Sequence, residues 1–396
     1  MNDKPTDNPS QSSPDKPAGK AAGSNPDAAP VESLSLKVEK LVTGGAGLAR
    51  HDGLTVFVPL TAPGDQVQAR IVERKKGFAQ AALETILEPG PDRREAPCPH
   101  YGQCGGCDFQ HLEPVAQLKA KAEIVADCFK RLGKMDVSDI LVGPEPCVPK
   151  KPGESGEPGE PGIGVRNRIR MYANLVGHYG MMRRGTHDVV PLESCLLMPE
   201  QFNRDIMPWL RMLPPVEELI VRLDGRGNWL ISIFGPPNRL RMLKKILAAV
   251  PMNEPPAPGC VGLLFNNLPI WGRDYLVYEV AGHKFKVGAQ SFFQGNLAAT
   301  EFAVAEVRSW LGEVAEAGTL GPLLGDLFCG AGLFSLTLAD LFEKIVAIDS
   351  DPYAIRDAEN NVKRSEAVEA GKMTVRKGKL AVALRDPKLA SAEEWT

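Results

Sequence analysis

The sequence has no long apolar run, few aromatic residues and little net charge. Aromatic residues make up 6% of the chain, and no stretch approaches the roughly 20 apolar residues that a membrane-spanning helix needs. No charged-then-apolar signal segment opens the chain, so we expect a cytoplasmic protein without a membrane partner. The formal net charge of -3 gives no global sign of a nucleic-acid partner. Any residues that bind a polyanion must therefore be clustered locally.

Cysteine is also scarce, with eight in 396 residues, yet three of the eight lie within one ten-residue segment. Cys98, Cys104 and Cys107 stand in the sequence CPHYGQCGGC. Thiols in a reducing compartment are more often metal ligands or catalytic groups than disulfides, and glycines let the backbone fold around a soft metal. Zinc binding and three separate buried thiols remain alternatives, and a metal centre needs a fourth ligand from elsewhere.

The length predicts two or three domains. Residues 1–33 are polar and Pro-rich, which predicts a disordered tail. Residues 34–90 contain five short strands separated by turns, typical of a small OB-like β-barrel. A barrel without a ligand is one interpretation, and a phosphate-facing edge at Arg70, Arg74, Lys75 and Lys76 is the other. Residues 91–275 mix strands and helices around the cysteine loop, and residues 149–164 form a low-complexity insertion expected to be mobile.

Within this central region, helical spacing of Leu118, Ala122, Val125 and Phe129 predicts an amphipathic helix over residues 111–133, closed by a C-terminal glycine.

Arginines alternate along a predicted strand in the central region and recur shortly after it. Asp188 is the only acidic residue from Val165 to Val190. The pattern is compatible with a solvated strand face or with contact to RNA phosphates. The candidate RNA-binding residues are Arg166, Arg168, Arg170, Arg183 and Arg184.

Residues 276–396 contain a predicted apolar strand, a glycine-rich turn and a helix, in the sequence LLGDLFCGAG from Leu323. The next apolar strand ends at Asp349. Glycines allow a ligand to approach the backbone, and a carboxylate at this position accepts hydrogen bonds from ribose hydroxyls. A lone Gly-x-Gly also occurs in ordinary turns. With Asp349 in place, the unit predicts a ribose-bearing cofactor.

Together these motifs resemble the RNA (uracil-5-)-methyltransferase family, specifically its 23S rRNA members with a TRAM domain and a [4Fe-4S] cluster. The resemblance implies an N-terminal OB-like barrel (TRAM), an α+β central domain with an Fe-S loop, and an incomplete class I (Rossmann-like α/β) methyltransferase domain. It implies Cys195, after the segment HDVVPLES, as fourth cluster ligand. The cofactor is then S-adenosyl-L-methionine, and its implied contacts are Gln294, Phe328, Gly330, Gly332 and Asp349.

The family's chemistry also sets an expectation for catalysis. A cysteine thiolate adds to uracil C6, the activated C5 attacks the cofactor methyl group, and a base then removes the C5 proton. In the family, the nucleophilic cysteine and a catalytic glutamate follow the third strand. This sequence stops at Thr396 before both, so we assign no catalytic residue and expect a truncated protein that is inactive alone.

Other functions fit parts of the pattern. A non-catalytic Fe-S and OB-fold RNA-binding protein would use the barrel and the cluster as a docking platform. A tRNA methyltransferase is an alternative to an rRNA enzyme, and only the resemblance favours 23S rRNA. A radical enzyme is disfavoured because its cysteines follow C-x3-C-x2-C rather than C-x5-C-x2-C. We expect a monomer.

Overall fold

The computed structural model of the chain describes residues 32–141, 162–251, 254–366, 368–369 and 371–380. The predicted tail up to residue 31, residues 149–161 of the predicted insertion, Cys147 and the segment from residue 381 lie outside the described residues. Over the described ranges, no helix is both long enough and apolar enough to cross a membrane.

The N-terminal strands form a closed barrel, which confirms the predicted five-stranded fold. Alternation of apolar and polar residues places Leu34, Leu36 and Val38 inside the barrel and their neighbours outside. The strand order is first, second, third, fifth, fourth. The strands are β1 (Ser33–Leu41), β2 (Gly47–His51), β3 (Leu54–Val58), β4 (Gln66–Lys75) and β5 (Phe78–Glu88).

The helix after the cysteine loop is shorter than predicted and packs through a different face. Helix α1 spans Pro114–Cys128, and one π-helical turn, Phe129–Gly133, follows it. Residues Ala116, Ala120 and Ile124 pack against the barrel side, whereas Val125 and Phe129 are exposed. The predicted apolar stripe is therefore wrong at Val125 and Phe129, whereas its other members, Leu118 and Ala122, are half-buried. Lys134, not Gly133, adopts the left-handed conformation at the end.

The central region is built on a seven-stranded mixed sheet. Its order is β12-β11-β10-β9-β6-β7-β8, and only the β10–β11 pair is parallel. The strands are β6 (Arg168–Ala173), β7 (Tyr179–Met182), β8 (Val189–Pro191), β9 (Glu218–Leu223), β10 (Trp229–Phe234), β11 (Cys260–Phe265) and β12 (Leu268–Gly272).

Both faces of this sheet are covered, which explains why β9 and β10 are apolar almost throughout. One face packs, through Val221 and Ile231, against helices α2 (Met207–Leu210) and α3 (Pro237–Ala248) and the turn that precedes α2. The opposite face contributes Leu230 and Leu264 to the core of the C-terminal region. The sheet therefore joins the two regions through one continuous packed layer.

The C-terminal region contains a hairpin and a three-stranded parallel sheet with helices between the strands. Among the described residues, β15 pairs only with β16, and β16 lies between β15 and β17. The predicted helix after the glycine-rich turn is short: it ends at Thr337, and a 3-10 turn over Ala339–Leu341 follows. The elements are β13 (Tyr275–Val280), β14 (His283–Gly288), α4 (Leu297–Glu316), β15 (Leu323–Asp326), α5 (Leu333–Thr337), β16 (Lys344–Asp349), α6 (Pro352–Arg364) and β17 (Met373–Lys377).

Candidate functional site

The four cysteines singled out from the sequence line one cavity of about 150 Å³. Cys98, Cys104 and Cys107 come from the loop before α1, and Cys195 comes from the loop after β8. The two loops are joined by the hydrogen bond from Glu193 N to His100 Nε2, 3.2 Å long. The cysteine loop also binds the end of β7, where Gly105 N donates to the carbonyl of Met182 over 3.0 Å. Tertiary folding thus brings together thiols separated by almost ninety positions in the chain.

Side chains around the cavity hold the cysteines in place. Gln110 Nε2 donates to Cys107 Sγ over 3.1 Å. Asn203 binds the backbone of Cys195 twice, accepting from its N–H at 2.8 Å and donating to its carbonyl at 3.2 Å. These bonds fix two loops that carry no regular secondary structure.

The cavity disfavours free thiolates. Burial raises the pKa of the Cys107 thiol to about 11, and the neighbouring cysteines add to this rise through like-charge repulsion. Burial also raises the pKa of Cys104 and Cys195. A soft cation that binds thiolates reverses this cost, because metal binding displaces the thiol protons.

Two kinds of metal centre place different demands on this set of thiols. Within the described ranges, no three His, Cys, Asp or Glu side chains converge closely enough to hold a single metal ion. An iron–sulfur cluster makes a different demand, because its four thiolates bind separate iron atoms and stand farther apart. Four half-buried thiols around one cavity are compatible with that second arrangement.

Three of the five candidate arginines lie at this cavity. Arg166, Arg168 and Arg170 contribute to its lining. Two of the five predicted arginines have acidic partners: Arg170 Nε lies 3.2 Å from Glu218 Oε1, and Arg184 pairs with Asp108. The sequence did not predict these partners, because Asp108 and Glu218 lie outside the segment from Val165 to Val190.

The glycine-rich turn between β15 and α5 has the conformation that the sequence pattern requires. Gly330 and Gly332 adopt positive φ angles of 54° and 87°, which side chains with a Cβ atom disfavour. No atom lies within 4 Å of the position where a Cβ on Gly330 would stand, so the backbone there is open to a ligand. Phe328, next to the turn, is exposed.

Two carboxylates hold the turn from opposite sides. Asp349 Oδ2 accepts from Gly330 N at 2.9 Å, and its Oδ1 accepts from Asp351 N at 2.9 Å. Asp326 accepts from the amide and hydroxyl of Ser335 at 3.1 and 2.6 Å. Burial raises the pKa of Asp326, with the charge of Asp349 adding to the rise.

Cys329 lies inside this turn but is a poor nucleophile. It is buried, and burial raises the pKa of its thiol to about 12, with Asp326 and Asp349 contributing. Its side chain packs in the core shared with Phe293 and Ala331. The residue is therefore part of the scaffold of the turn.

Gln294 is exposed on the loop between β14 and α4, directly after the buried Phe293. Phe293 stacks on Tyr278 with ring centroids 4.6 Å apart and shares a core with Cys329 and Ala331 of the glycine-rich turn. The structure thus brings the Gln294 loop and the turn into one packed unit. The contribution of Gln294 to a ligand site remains a prediction.

Several buried polar residues that hold these elements were missed from the sequence. Asn361 of α6 accepts from Lys286 N at 2.8 Å and donates to the carbonyl of Ala331 at 3.0 Å. Asp357 accepts from Gly288 N at 2.7 Å and from the Ser291 hydroxyl. Single polar residues on a helix carry no periodic signal, so only the fold reveals their partners.

Comparison with known proteins assigns the family. Residues 30–83 match the TRAM domain family. An uncharacterised RNA methyltransferase of Aquifex aeolicus is 33% identical over 341 residues, which cover 83% of this chain and 75% of that protein. The chain belongs to the RNA methyltransferase family.

Two further relatives of this RNA methyltransferase are informative. The 23S rRNA (uracil(1939)-C(5))-methyltransferase RlmD of Shewanella amazonensis is 29% identical over 353 residues, covering 83% of this chain and 73% of the relative. The crystal structure of Pyrococcus abyssi tRNA (uracil-54, C5)-methyltransferase, in complex with S-adenosyl-L-homocysteine, matches with a TM-score of 0.60 at 19% identity. That match covers 87% of this chain and 79% of the other, and it shows a shared fold.

Proposed function

We propose that this RNA methyltransferase transfers a methyl group from S-adenosylmethionine to C5 of a uridine in 23S rRNA. The observation that carries the proposal is the turn in which Asp349 holds Gly330 and leaves open space beside the glycine backbone. A carboxylate at the end of the second strand is suited to bind ribose hydroxyls. The family membership and the Shewanella relative favour uridine in rRNA as the acceptor.

The cofactor residues have distinct proposed roles. Asp349 binds the ribose, Gly330 admits the cofactor to the backbone, and Gln294 and Phe328 contact it from the rim. Gly332 is buried, and a Cβ there would contact Leu336 and Ala358, so its proposed role is to shape the turn. The exposure of Gln294 and Phe328 supports this division, because both are accessible beside a buried core. S-adenosylmethionine supplies the electrophilic methyl group when it is bound.

The cysteine cavity is proposed to hold a [4Fe-4S] cluster through Cys98, Cys104, Cys107 and Cys195. Four thiolate ligands leave no iron open to substrate, so the proposed role is structural. The position of the cavity supports this role, since its lining joins the loop before α1 to the loop after β8 and to β6. The cluster would fix the exposed arginines relative to the barrel.

RNA is proposed to bind across the TRAM barrel and the arginines beside the cavity. Arg166 and Arg183 are exposed, and guanidinium groups bind phosphates without reading sequence. The target uridine must also leave its stack to reach the cofactor. Arg170 and Arg184 pair with acidic residues and Arg168 is half-buried, so these three are proposed to position the site more than to bind phosphate.

The covalent step remains unassigned among the described cysteines. Addition to uracil C6 needs an accessible thiolate. Four of the described cysteines line the cavity, Cys128 lies 3.3 Å from the Thr43 hydroxyl, and Cys260 and Cys329 are buried with thiol pKa values raised to about 12. The proposal therefore assigns cofactor and RNA binding to the described residues and assigns the nucleophile to none of the described cysteines.

Deletion of the gene in its host tests the proposed substrate. Nucleosides from purified 23S rRNA and tRNA are compared by mass spectrometry before and after deletion. Loss of 5-methyluridine from 23S rRNA alone is expected, and a chromosomal Asp349→Ala allele should give the same loss. Loss confined to tRNA would establish the alternative acceptor suggested by the Pyrococcus abyssi structure, and unchanged 5-methyluridine in both RNAs would refute the proposal.

A further inference from the structure

The loop that carries Gln294 is bound to the central sheet through its backbone carbonyls. Asn167 Nδ2 donates to the carbonyl of Gln294 at 2.9 Å, and the Asn167 backbone N–H donates to the carbonyl of Gly295 at 2.9 Å. Two consecutive peptide groups are thus fixed by one residue. Any change in the orientation of these peptides reorients the Gln294 side chain.

Asn167 is itself rigidly placed. It is buried, and its carbonyl accepts from Leu223 N at 2.8 Å, which extends the pairing of β6 with β9 by one residue. A side-chain amide in this setting can donate only where the sheet directs it. The bond to Gln294 is therefore a fixed feature of the sheet edge rather than a loop contact that forms by chance.

A second buried residue holds the start of the same loop. Arg222 Nη1 donates to the carbonyls of Gly288 at 3.2 Å and Ser291 at 2.7 Å. Asp357 of α6 binds the amide of Gly288 from the other side at 2.7 Å. The segment 288–295 is consequently held at four carbonyls by two neighbouring strands of the central sheet.

The position of Asn167 links two proposed sites. Its chain neighbours Arg166 and Arg168 line the cysteine cavity, and Arg166 N donates to the carbonyl of Leu197, two residues after Cys195, at 2.8 Å. The cavity wall and the cofactor loop therefore meet at a single residue.

From these contacts we infer that Asn167 is a positioning residue for the methyl-transfer site, acting through Gln294 on the bound cofactor. The inference rests on the proposed cofactor role of Gln294. Asn167 touches neither cofactor nor RNA in this scheme. Its side chain sets the peptide orientation from which the Gln294 side chain reaches the cofactor.

The test measures S-adenosylhomocysteine binding by titration calorimetry on the full chain. Asn167→Asp preserves the shape but removes the donor and places a carboxylate against the Gln294 carbonyl. We expect its dissociation constant to rise about five- to tenfold, the effect of losing one buried hydrogen bond. Asn174→Asp is the matched control, because the side-chain oxygen of Asn174 accepts turn bonds from Val176 N and His178 N, and a carboxylate oxygen accepts them equally well. The Asn174→Asp variant should bind S-adenosylhomocysteine with the affinity of the unaltered chain.

A double variant separates positioning from general structural support. Asn167→Asp should add nothing to the loss already caused by Gln294→Ala, because Asn167 acts on the cofactor only through the Gln294 side chain, which that variant lacks. Full additivity, or unchanged affinity in the single Asn167→Asp variant, would overturn the inference. If Asn167→Asp does not fold, Asn167→Ala decides, since it keeps the backbone donation to Gly295.

The same titrations distinguish failure of the inference from failure of the proposed cofactor site. Weaker binding by Asp349→Ala and Gln294→Ala, with normal binding by Asn167→Asp, refutes only the role of Asn167. Normal binding by Asp349→Ala and Gln294→Ala refutes the cofactor site and the inference together.

Discussion

Asp349 and Gly330 are joined by a 2.9 Å hydrogen bond from the glycine amide to the Asp349 carboxylate. The other carboxylate oxygen accepts from Asp351 N. One side chain thereby ties the end of β16 to the turn after β15 and fixes the orientation of its own charge. A carboxylate held in this way can accept further hydrogen bonds without first being reoriented.

Asp349→Ala should weaken binding of S-adenosylhomocysteine roughly ten- to a hundredfold, because hydrogen bonds to a charged group contribute about 1.5–3 kcal/mol each. Titration calorimetry measures the change. Asp351→Ala is the control, since Asp351 caps α6 by accepting from Tyr353 N and Ala354 N. Loss of that cap should lower the free energy of unfolding by about 1 kcal/mol with affinity unchanged. Equal affinities for the Asp349→Ala variant and the unaltered chain would contradict the ribose-binding role.

Cys195→Ser should abolish the iron–sulfur absorption of anaerobically purified protein and reduce its iron and sulfide content. The proposed cluster would then lose its ligand from the loop after β8, because the other three thiols of the cavity come from the loop before α1. Cys128→Ser should leave colour and iron content unchanged, because Cys128 lies beside Thr43 and not in the cavity lining. Colourless protein containing zinc would rule out the iron assignment.

Arg166→Ala and Arg183→Ala should each weaken binding to a 23S rRNA fragment and reduce the salt dependence of binding. Loss of one phosphate contact lowers the slope of log affinity against log salt by about 1. Fluorescence anisotropy at several salt concentrations measures both quantities. Arg204→Ala is the control, since Arg204 is exposed but bonded to Asp205. Unchanged slopes in both test variants would place the RNA elsewhere.

Asp65→Asn should lower the free energy of unfolding by about 3–5 kcal/mol, the cost of breaking a buried ion pair. Asp65 is fully buried and accepts from Arg93, Ala62 N and Gly90 N at the junction of barrel and cysteine loop. Glu73→Gln, which removes an exposed pair with Lys75, should cost about 0.5 kcal/mol or less. Urea denaturation at neutral pH compares the variants. Equal losses of unfolding free energy would show that the buried pair stabilises the fold no more than the exposed pair does.

The same carboxylate gives a pH dependence of defined sign. Burial acts to raise the pKa of Asp65, but the hydrogen bonds from Arg93, Ala62 and Gly90 outweigh it, and the pKa lies below its ordinary value of 3.8. The unfolded chain therefore binds the proton more tightly. The stabilisation is complete above pH 3.8 and is lost as the pH falls through the folded pKa. Asp65→Asn should lose less stability than the unaltered chain over that acid range.

Local patterns predicted elements whose burial is decided by their own sequence. Strand β1 alternates because one face points into the barrel, and the five short strands of residues 34–90 are separated by turns that the sequence shows directly. The glycine-rich turn was equally readable, because only glycine adopts its backbone angles readily. The buried face of α1 could not be predicted in this way. Packing against the barrel buries Ala120 and partly buries Ala116, whereas the larger Val125 and Phe129 are exposed. Strands β7, β8 and β11 to β14 also escaped prediction.

By itself, the sequence determined the cysteine spacing, the barrel and the strand–turn–helix unit, because each depends on neighbours within a few residues. Only the tertiary structure brought Cys195 to the cysteine loop and placed Glu218 beside Arg170. It alone joined Asn167 to Gln294, which lie 127 positions apart. Such contacts depend on how strands are ordered in a sheet and which of its faces is covered, and neither property is encoded in the periodicity of a single segment.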